Sequence, residues 1–349
     1  MSFMSKALVT RIVVIGGRGF FGSVAADLLR REGERPMVAS RRSGADLAID
    51  AEDAASLHAS LRAGDVVIDA AGPFQPRSMT LIDACAAISC DVIDLSDSLD
   101  YAVRLRARSP AIEKAGVRVL TSCSTMSAVS AALIQLCGVG SPTRVSAFLA
   151  PATGNTSTPA SAASLLSSLA RPVKVRRDGR LVERTAFVER RPFDFPAPVG
   201  HLEGRLGESP DAVLLPVAWP MLTDVEFWVD TRRRALNALF AQAACHRSVR
   251  AMVEALQPIG RALSKRFGPR NGGFAIEVTG ADGATHAAGF VHASHSFIVA
   301  VAPAVIAARA IAGGRFTPTG VVSPADHVDP QELEAWLRGQ GIVAFQSAR

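Results

Sequence analysis

Aromatic residues make up only 6% of this 349-residue chain, and tyrosine occurs once. Nucleic-acid binding calls for a basic patch interleaved with exposed aromatics, so a net charge of +6 is not by itself such a footprint. Basic residues do cluster at Lys174, Arg176, Arg177, Arg180, Arg184 and Arg190, and again at Arg232, Arg233 and Arg234. Asp178-Gly179 lies in the middle of the first cluster and reads as the turn of a hairpin with its charges on the wet face. An anionic ligand accounts for the positive balance. The five cysteines (Cys85, Cys90, Cys123, Cys137, Cys245) are odd in number and contain no C-x-x-C pair, so no disulfide framework or zinc site is indicated. A reducing cytoplasm is the expected location. The first residues lack the charged start, apolar run and cleavage site of a signal peptide. The longest apolar run, 297–312, is too short to span a bilayer and holds Pro303 and Arg309, so it reads as a buried helix. The 48% apolar content excludes a disordered chain, and the length allows two domains.

The sequence does have a glycine-rich turn in a telling place. Ile12 to Ile15 is an apolar, β-branched run of the kind buried in parallel sheets. It runs into Gly16-Gly17-Arg18-Gly19-Phe20-Phe21-Gly22, and 23–31 then reads as a helix with Val24, Leu28 and Leu29 on one face. Gly17, Gly19 and Gly22 fit G-x-G-x-x-G. One glycine permits the sharp turn, one lets backbone N–H groups approach a pyrophosphate, and one lets helix and strand pack closely. Between a buried strand and a helix, the motif points to a dinucleotide. The next strand, 36–40, ends in Ser40-Arg41-Arg42-Ser43, where NAD enzymes usually place an acid for the ribose 2′-OH. A guanidinium there suits a 2′-phosphate, so NADP is expected over NAD. Arg18, inside the turn, is a further phosphate contact.

Strands and helices then alternate. Strands are expected at 45–50, 65–70, 91–95 and 117–120, and helices at 52–61, 77–87 and 99–115. This pattern implies a doubly wound parallel sheet, a Rossmann fold, with ligands outside the carboxyl ends of its strands. Ser40-Arg41, Gly72-Pro73-Phe74, Ser96-Asp97 and Ser122-Cys123 should line that rim.

Three segments, Gly16 to Gly22, Asp65-Val66-Val67-Ile68-Asp69-Ala70-Ala71-Gly72-Pro73-Phe74 and Asp91-Val92-Ile93-Asp94-Leu95-Ser96-Asp97, resemble the saccharopine dehydrogenase-like NAD(P)-binding oxidoreductases. The tail, Gly320 to Pro324 and the helix 330–341, is similar more loosely. The resemblance implies a Rossmann domain over 1–125, an inserted α+β substrate and dimerisation domain with an antiparallel sheet over 126–295, and a helical segment over 296–349 that returns to the first domain. It implies hydride transfer at a carbon–nitrogen bond of an amino-acid-derived substrate. The cofactor-binding residues are then Gly16, Gly17, Arg18, Gly19, Phe20, Phe21, Gly22, Ser40, Arg41, Arg42, Asp50, Ala71, Gly72, Pro73 and Phe74. Many relatives carry Gly-x-x-Pro-Gly after the last Rossmann strand. Here Ser122 to Ala128 contains neither proline nor glycine. Reduction of a carbonyl or activated double bond on the same scaffold, and NADP sensing without turnover, stay open.

In the middle region, strands are expected at 144–149 and 225–229, helices at 160–170 and 235–256, a loop at 193–198, and hairpins at Asp178-Gly179 and across 274–279 and 287–293. Tyr101 is followed four residues on by Leu105, which excludes the Tyr-x-x-x-Lys pair of short-chain dehydrogenases. The catalytic candidates are Asp97, Cys123 and His295. Asp97 lies beyond a strand end, where it could hold a cationic amine or move a proton; an acid at a helix N-terminus is its plainer role. Cys123 shares that rim, though a buried, unreactive thiol is the simpler reading. His292 and His295 precede the apolar run and lack a third ligand for a metal. The expected partners are an anionic small-molecule substrate and a second copy of the chain, with neither nucleic acid nor membrane.

Overall fold

The computed structural model describes residues 10–41 and 44–348. Seven strands form the first sheet: β1 (Ile12–Ile15), β2 (Met37–Ser40), β3 (Leu47–Ala48), β4 (Val66–Asp69), β5 (Asp91–Asp94), β6 (Arg118–Leu120) and, from far down the chain, β15 (Gly320–Val321). Their order is β15-β6-β5-β4-β1-β2-β3 and every pairing is parallel. β1 and β4 are buried along their whole length, as their unbroken Val and Ile runs require. The crossovers are α1 (Phe20–Arg31), α2 (Ala54–Ser60), α3 (Thr80–Ile88), α4 (Leu99–Arg106) and α5 (Ser109–Ala115). The helix expected over 99–115 is two helices, because Pro110 begins the second one.

The second sheet is built from β7 (Pro142–Ala150), β8 (Val173–Arg177), β9 (Arg180–Arg184), β10 (Arg190–Asp194), β11 (His201–Gly207), β12 (Asp224–Val229), β13 (Gly272–Gly280), β14 (Thr285–His292) and β16 (Val343–Ala348). Its main path is β10-β11-β12-β7-β13-β14-β16, with the β8–β9 hairpin attached to β12. The sheet is mixed: β7 and β12 run parallel, and the other pairs are antiparallel. The tail is shared between the sheets. β15 joins β6, as expected of a segment returning to the first domain, whereas β16 extends the second sheet beside β14.

The remaining helices are α6 (Ala128–Leu136), α7 (Thr153–Thr156), α8 (Pro159–Ala170), α9 (Asp211–Ala218), α10 (Arg234–Cys245), α11 (Arg247–Phe267), α12 (Ala302–Ala312) and α13 (Pro330–Gly339). α6 and α12 lie between the two sheets. One apolar cluster runs from Val14, Ile68 and Ile93 through Val129, Leu133, Val305 and Ile306 to Val145, Phe274 and Ile276. The apolar run 297–312 is thus the buried helix its composition called for, entered through a short 3-10 turn.

The basic stretch after Arg171 is neutralised from within. Lys174 pairs with Asp100, Arg177 with Glu189 and Glu226, Arg190 with Glu203, and Arg191 with Glu277. Among the described residues no helix is long and apolar enough to cross a membrane, and no His, Cys, Asp and Glu cluster could hold a metal.

Candidate active site

Gly16 sits at φ +74°, and a Cβ there would lie 2.8 Å from the backbone of Ala70 and Ala71. At Gly22 a Cβ would lie 2.3 Å from the Gly16 carbonyl oxygen. Only glycine lets α1 start this close to β1 and β4. α1 begins at Phe20, earlier than expected, with no side-chain cap and no acid in its first turn. Its N-terminal N–H groups are therefore presented to an anion, aided by the helix dipole. The glycine cradle fits a dinucleotide pyrophosphate.

β2 ends at Ser40 and is followed directly by Arg41 rather than an acid. Arg41 is 75% exposed and 3.9 Å from Asp50. Arg42 lies outside the described residues. Arg18 does not turn toward the pyrophosphate cradle: a Cβ on Gly44 would lie 2.7 Å from its Nη1, so its guanidinium rests on the loop after β2. Arg18 and Arg41 thus both lie at the loop after β2.

Asp69, at the end of β4, is fully buried. It accepts from the Ala71 N–H at 3.0 Å and from Arg77 Nη2 at 2.8 Å, while Arg77 Nη1 donates to the Ala71 carbonyl at 2.7 Å. This clamp fixes Ala71-Gly72-Pro73-Phe74. Asp94 does the same work at β5, accepting from the Ser96 and Ser122 N–H groups at 3.0 and 2.8 Å. Burial pushes its carboxyl up to about 7.

Between these strand ends and the second sheet lies a cavity of about 300 Å³. Phe21, Gly72, Phe74 and Leu95 wall it from the first domain, Leu149, Phe274 and Phe297 from beyond, and Ser96, Ser124, Thr125, Ser161 and Ser164 add hydroxyls. Asp97 is the only charged side chain lining it among the described residues. Its carboxylate accepts from Gln75 Nε2 at 3.1 Å and from Ser164 Oγ, and Gln75 Nε2 also reaches Ser164 Oγ at 2.8 Å. Burial raises the Asp97 pKa, and these two donors pull against it.

The other two catalytic candidates are not brought to this cavity. Cys123 is wholly enclosed in the inter-sheet core, and burial lifts its thiol well above its usual range. Its neighbours Ser124 and Thr125 reach the lining, but Cys123 does not. His295 is exposed, with Nδ1 2.8 Å from Ser294 Oγ. His292 uses Nδ1 to accept the N–H groups of Ser294 and His295, both at 2.8 Å, so it closes a turn. Sequence reasoning missed Gln75 and Ser164. Ser164 lies 67 positions from its Asp97 partner, and no local pattern marks it. Asp94 had a visible signal, an acid ending a buried strand.

Residues 12–120 match the family described as the saccharopine dehydrogenase NADP binding domain. A search of curated proteins found no match. Among solved structures, apo saccharopine dehydrogenase (L-Glu forming) from Saccharomyces cerevisiae aligns over 97% of this chain and 100% of its own, with TM-score 0.63 and 15% identity. GenD2 from gentamicin A biosynthesis, solved in complex with NAD, covers 99% of each chain with TM-score 0.43 and 17% identity. The match, with the glycine cradle and the strand-end rim, defines an NAD(P)-dependent oxidoreductase. Within that class, residues 12–120 are similar to the saccharopine dehydrogenase NADP binding domain, and the fold of the chain is that of saccharopine dehydrogenase.

Proposed function

We propose that the chain uses NADP to transfer a hydride at a carbon–nitrogen bond, with Asp97 facing the cationic nitrogen. The observation that carries this reading is the lone carboxylate in an otherwise uncharged cavity at the ends of β4 and β5. A carboxylate held by two donors in a low-dielectric pocket attracts a cation strongly. When bound, the reduced nicotinamide supplies a hydride to the substrate carbon. The iminium nitrogen already carries its positive charge, so the neutral amine forms without a proton from the protein. Asp97 holds the cation in place, Ser164 and Gln75 hold Asp97, and Phe21, Phe74 and Phe297 exclude water.

The same cavity has no Lys, Arg or His among its described lining residues. It offers no cation to pair with the carboxylates of an amino acid or keto acid. This favours an amine or imine with apolar substituents over the anionic substrate expected from the net charge. Reduction of a carbonyl or activated double bond is the second reading, supported by the raised Asp97 pKa, which suits a proton donor.

A pH–rate profile of NADPH oxidation with cyclic imines and with matched ketones separates the two. Imine reduction should fall as pH drops through the Asp97 pKa, because the anion is needed. Ketone reduction should fall as pH rises through it. Asp97→Asn should lower kcat on imines by about 100-fold. NADPH binding with undiminished imine turnover in Asp97→Asn would sink the proposal.

A homodimer is proposed through α11. Met252, Leu256, Ile259 and Leu263 are exposed along one stripe of that helix, with the four-three-four spacing of a helix-pairing seam. A reducing cytoplasm is the proposed location, on the odd cysteine count and the lack of a C-x-x-C pair.

A further inference from the structure

A second chamber of about 400 Å³ adjoins the first. The two share Asp97, Met126, Leu149, Ser161 and Ser164 as lining, so they communicate at the proposed reaction centre. Beyond that neck the walls are α8, α10, α11 and β12, with Leu165, Leu166, Phe227, Leu239 and Phe240 facing inward. Arg171 at its rim is engaged by Glu208 at 2.6 Å and by Asp100 at 3.4 Å. Arg261 lies on the far, α11 wall. Met252 and Leu256 complete the wall yet remain 46% and 49% exposed, so the chamber opens toward solvent beside α11.

We infer that this chamber binds an extended apolar chain on the substrate, whose reacting carbon sits in the first cavity beside Asp97. The inference rests on the hydride-transfer reading for the position of the reacting carbon. The chamber itself is independent of that chemistry. A volume of about 400 Å³ falls in the usual range for small-molecule pockets, roughly 300–1,000 Å³. An amino acid in the first cavity would leave the chamber filled only with water against apolar walls. An alkyl or acyl chain of several carbons would remove that apolar surface from water.

The test is calorimetric titration of the full chain with straight-chain primary amines of increasing length, and in parallel with neutral n-alkanols. Each added methylene should lower Kd about fourfold until the chamber is full, after which Kd should level off. Leu239→Trp, which fills the chamber from α10, should abolish the gain for long amines while leaving the shortest amines unaffected. Retained short-amine binding shows that the variant is folded. A Kd independent of chain length in the wild type overturns the inference, as does a length-dependent gain that survives Leu239→Trp. If the alkanols show the gain but no amine binds more tightly than the alkanol of equal length, the chamber stands and the Asp97–cation reading fails.

Discussion

Asp94 and His327 are both fully enclosed, and burial disfavours the charged form of each. For Asp94 this raises the carboxyl from 3.8 to about 7; for His327, whose Nε2 lies 3.3 Å from the Val322 carbonyl, it lowers the ring from 6.5 to about 4. The two groups act on stability with opposite sign. Between pH 3.8 and about 7 the folded chain holds the extra proton on Asp94, so its contribution grows as pH falls and is lost as pH rises. Between about pH 4 and 6.5 the unfolded chain holds the extra proton on the imidazole, so stability is lost as pH falls. The wild type should therefore lose about 2–3 kcal/mol relative to His327→Gln on going from about pH 7 to 4.5. Relative to Asp94→Asn it should gain a similar amount. Denaturant midpoints at the two pH values measure both differences. Parallel pH curves for wild type and variants would show that neither group titrates as its surroundings dictate.

The strands of the first sheet were legible because each is a buried β-branched run that stops at glycine, serine or aspartate. The cradle was legible because its glycines follow one such run. The second sheet was harder to read. Residues 193–198 were expected to be a loop on account of their prolines, yet Phe193 lies in β10 with Pro192 before it. β10 is an edge strand, where a missing N–H breaks no ladder bond. The single helix expected over 235–256 is two, α10 and α11, broken at the extended His246, and the second continues through Pro258 to Phe267, because α11 has no buried residue and the carbonyl freed by the proline meets water. Strands β11 and β16 and helices α6 and α9 were not anticipated; α6 is buried all round over 128–134, so it carries no apolar stripe of helical period. The loop after β2 shows a subtler limit. The sequence marked Arg18 as a phosphate contact without saying which phosphate, and folding carries its side chain to Gly44. Arg18→Ala and Arg41→Ala should each weaken NADPH binding about tenfold while leaving NADH nearly unchanged, as loss of a charge-assisted hydrogen bond requires. Equal loss for both nucleotides would place Arg18 at the pyrophosphate instead.

At the scale of the whole molecule, α11 carries an apolar stripe that its own fold does not cover. It has no buried residue, and Ile259 and Leu263 are 59% and 53% exposed on the side that continues the chamber mouth. A second copy laid against this stripe would bury it and close the mouth. The flanks of the stripe carry Arg247, Arg250, Arg261, Lys265 and Arg266 against a single acid, Glu254. Two copies paired here bring like charges together, so salt should strengthen the dimer by screening that repulsion. An anionic lipid surface would show the opposite dependence, with attraction weakening as salt rises. Sedimentation velocity of the full chain at about 50 and 500 mM salt, between which the screening length falls from above about 10 Å to about 4 Å, should show a dimer whose dissociation constant falls as salt rises. An Ile259→Asp, Leu263→Asp double variant should sediment as a monomer with its NADPH affinity intact, because neither side chain lines the cofactor rim. A wild-type monomer that binds anionic vesicles at low salt and leaves them at high salt would replace the dimer with a membrane-facing helix, and the chamber beside α11 would then open toward lipid.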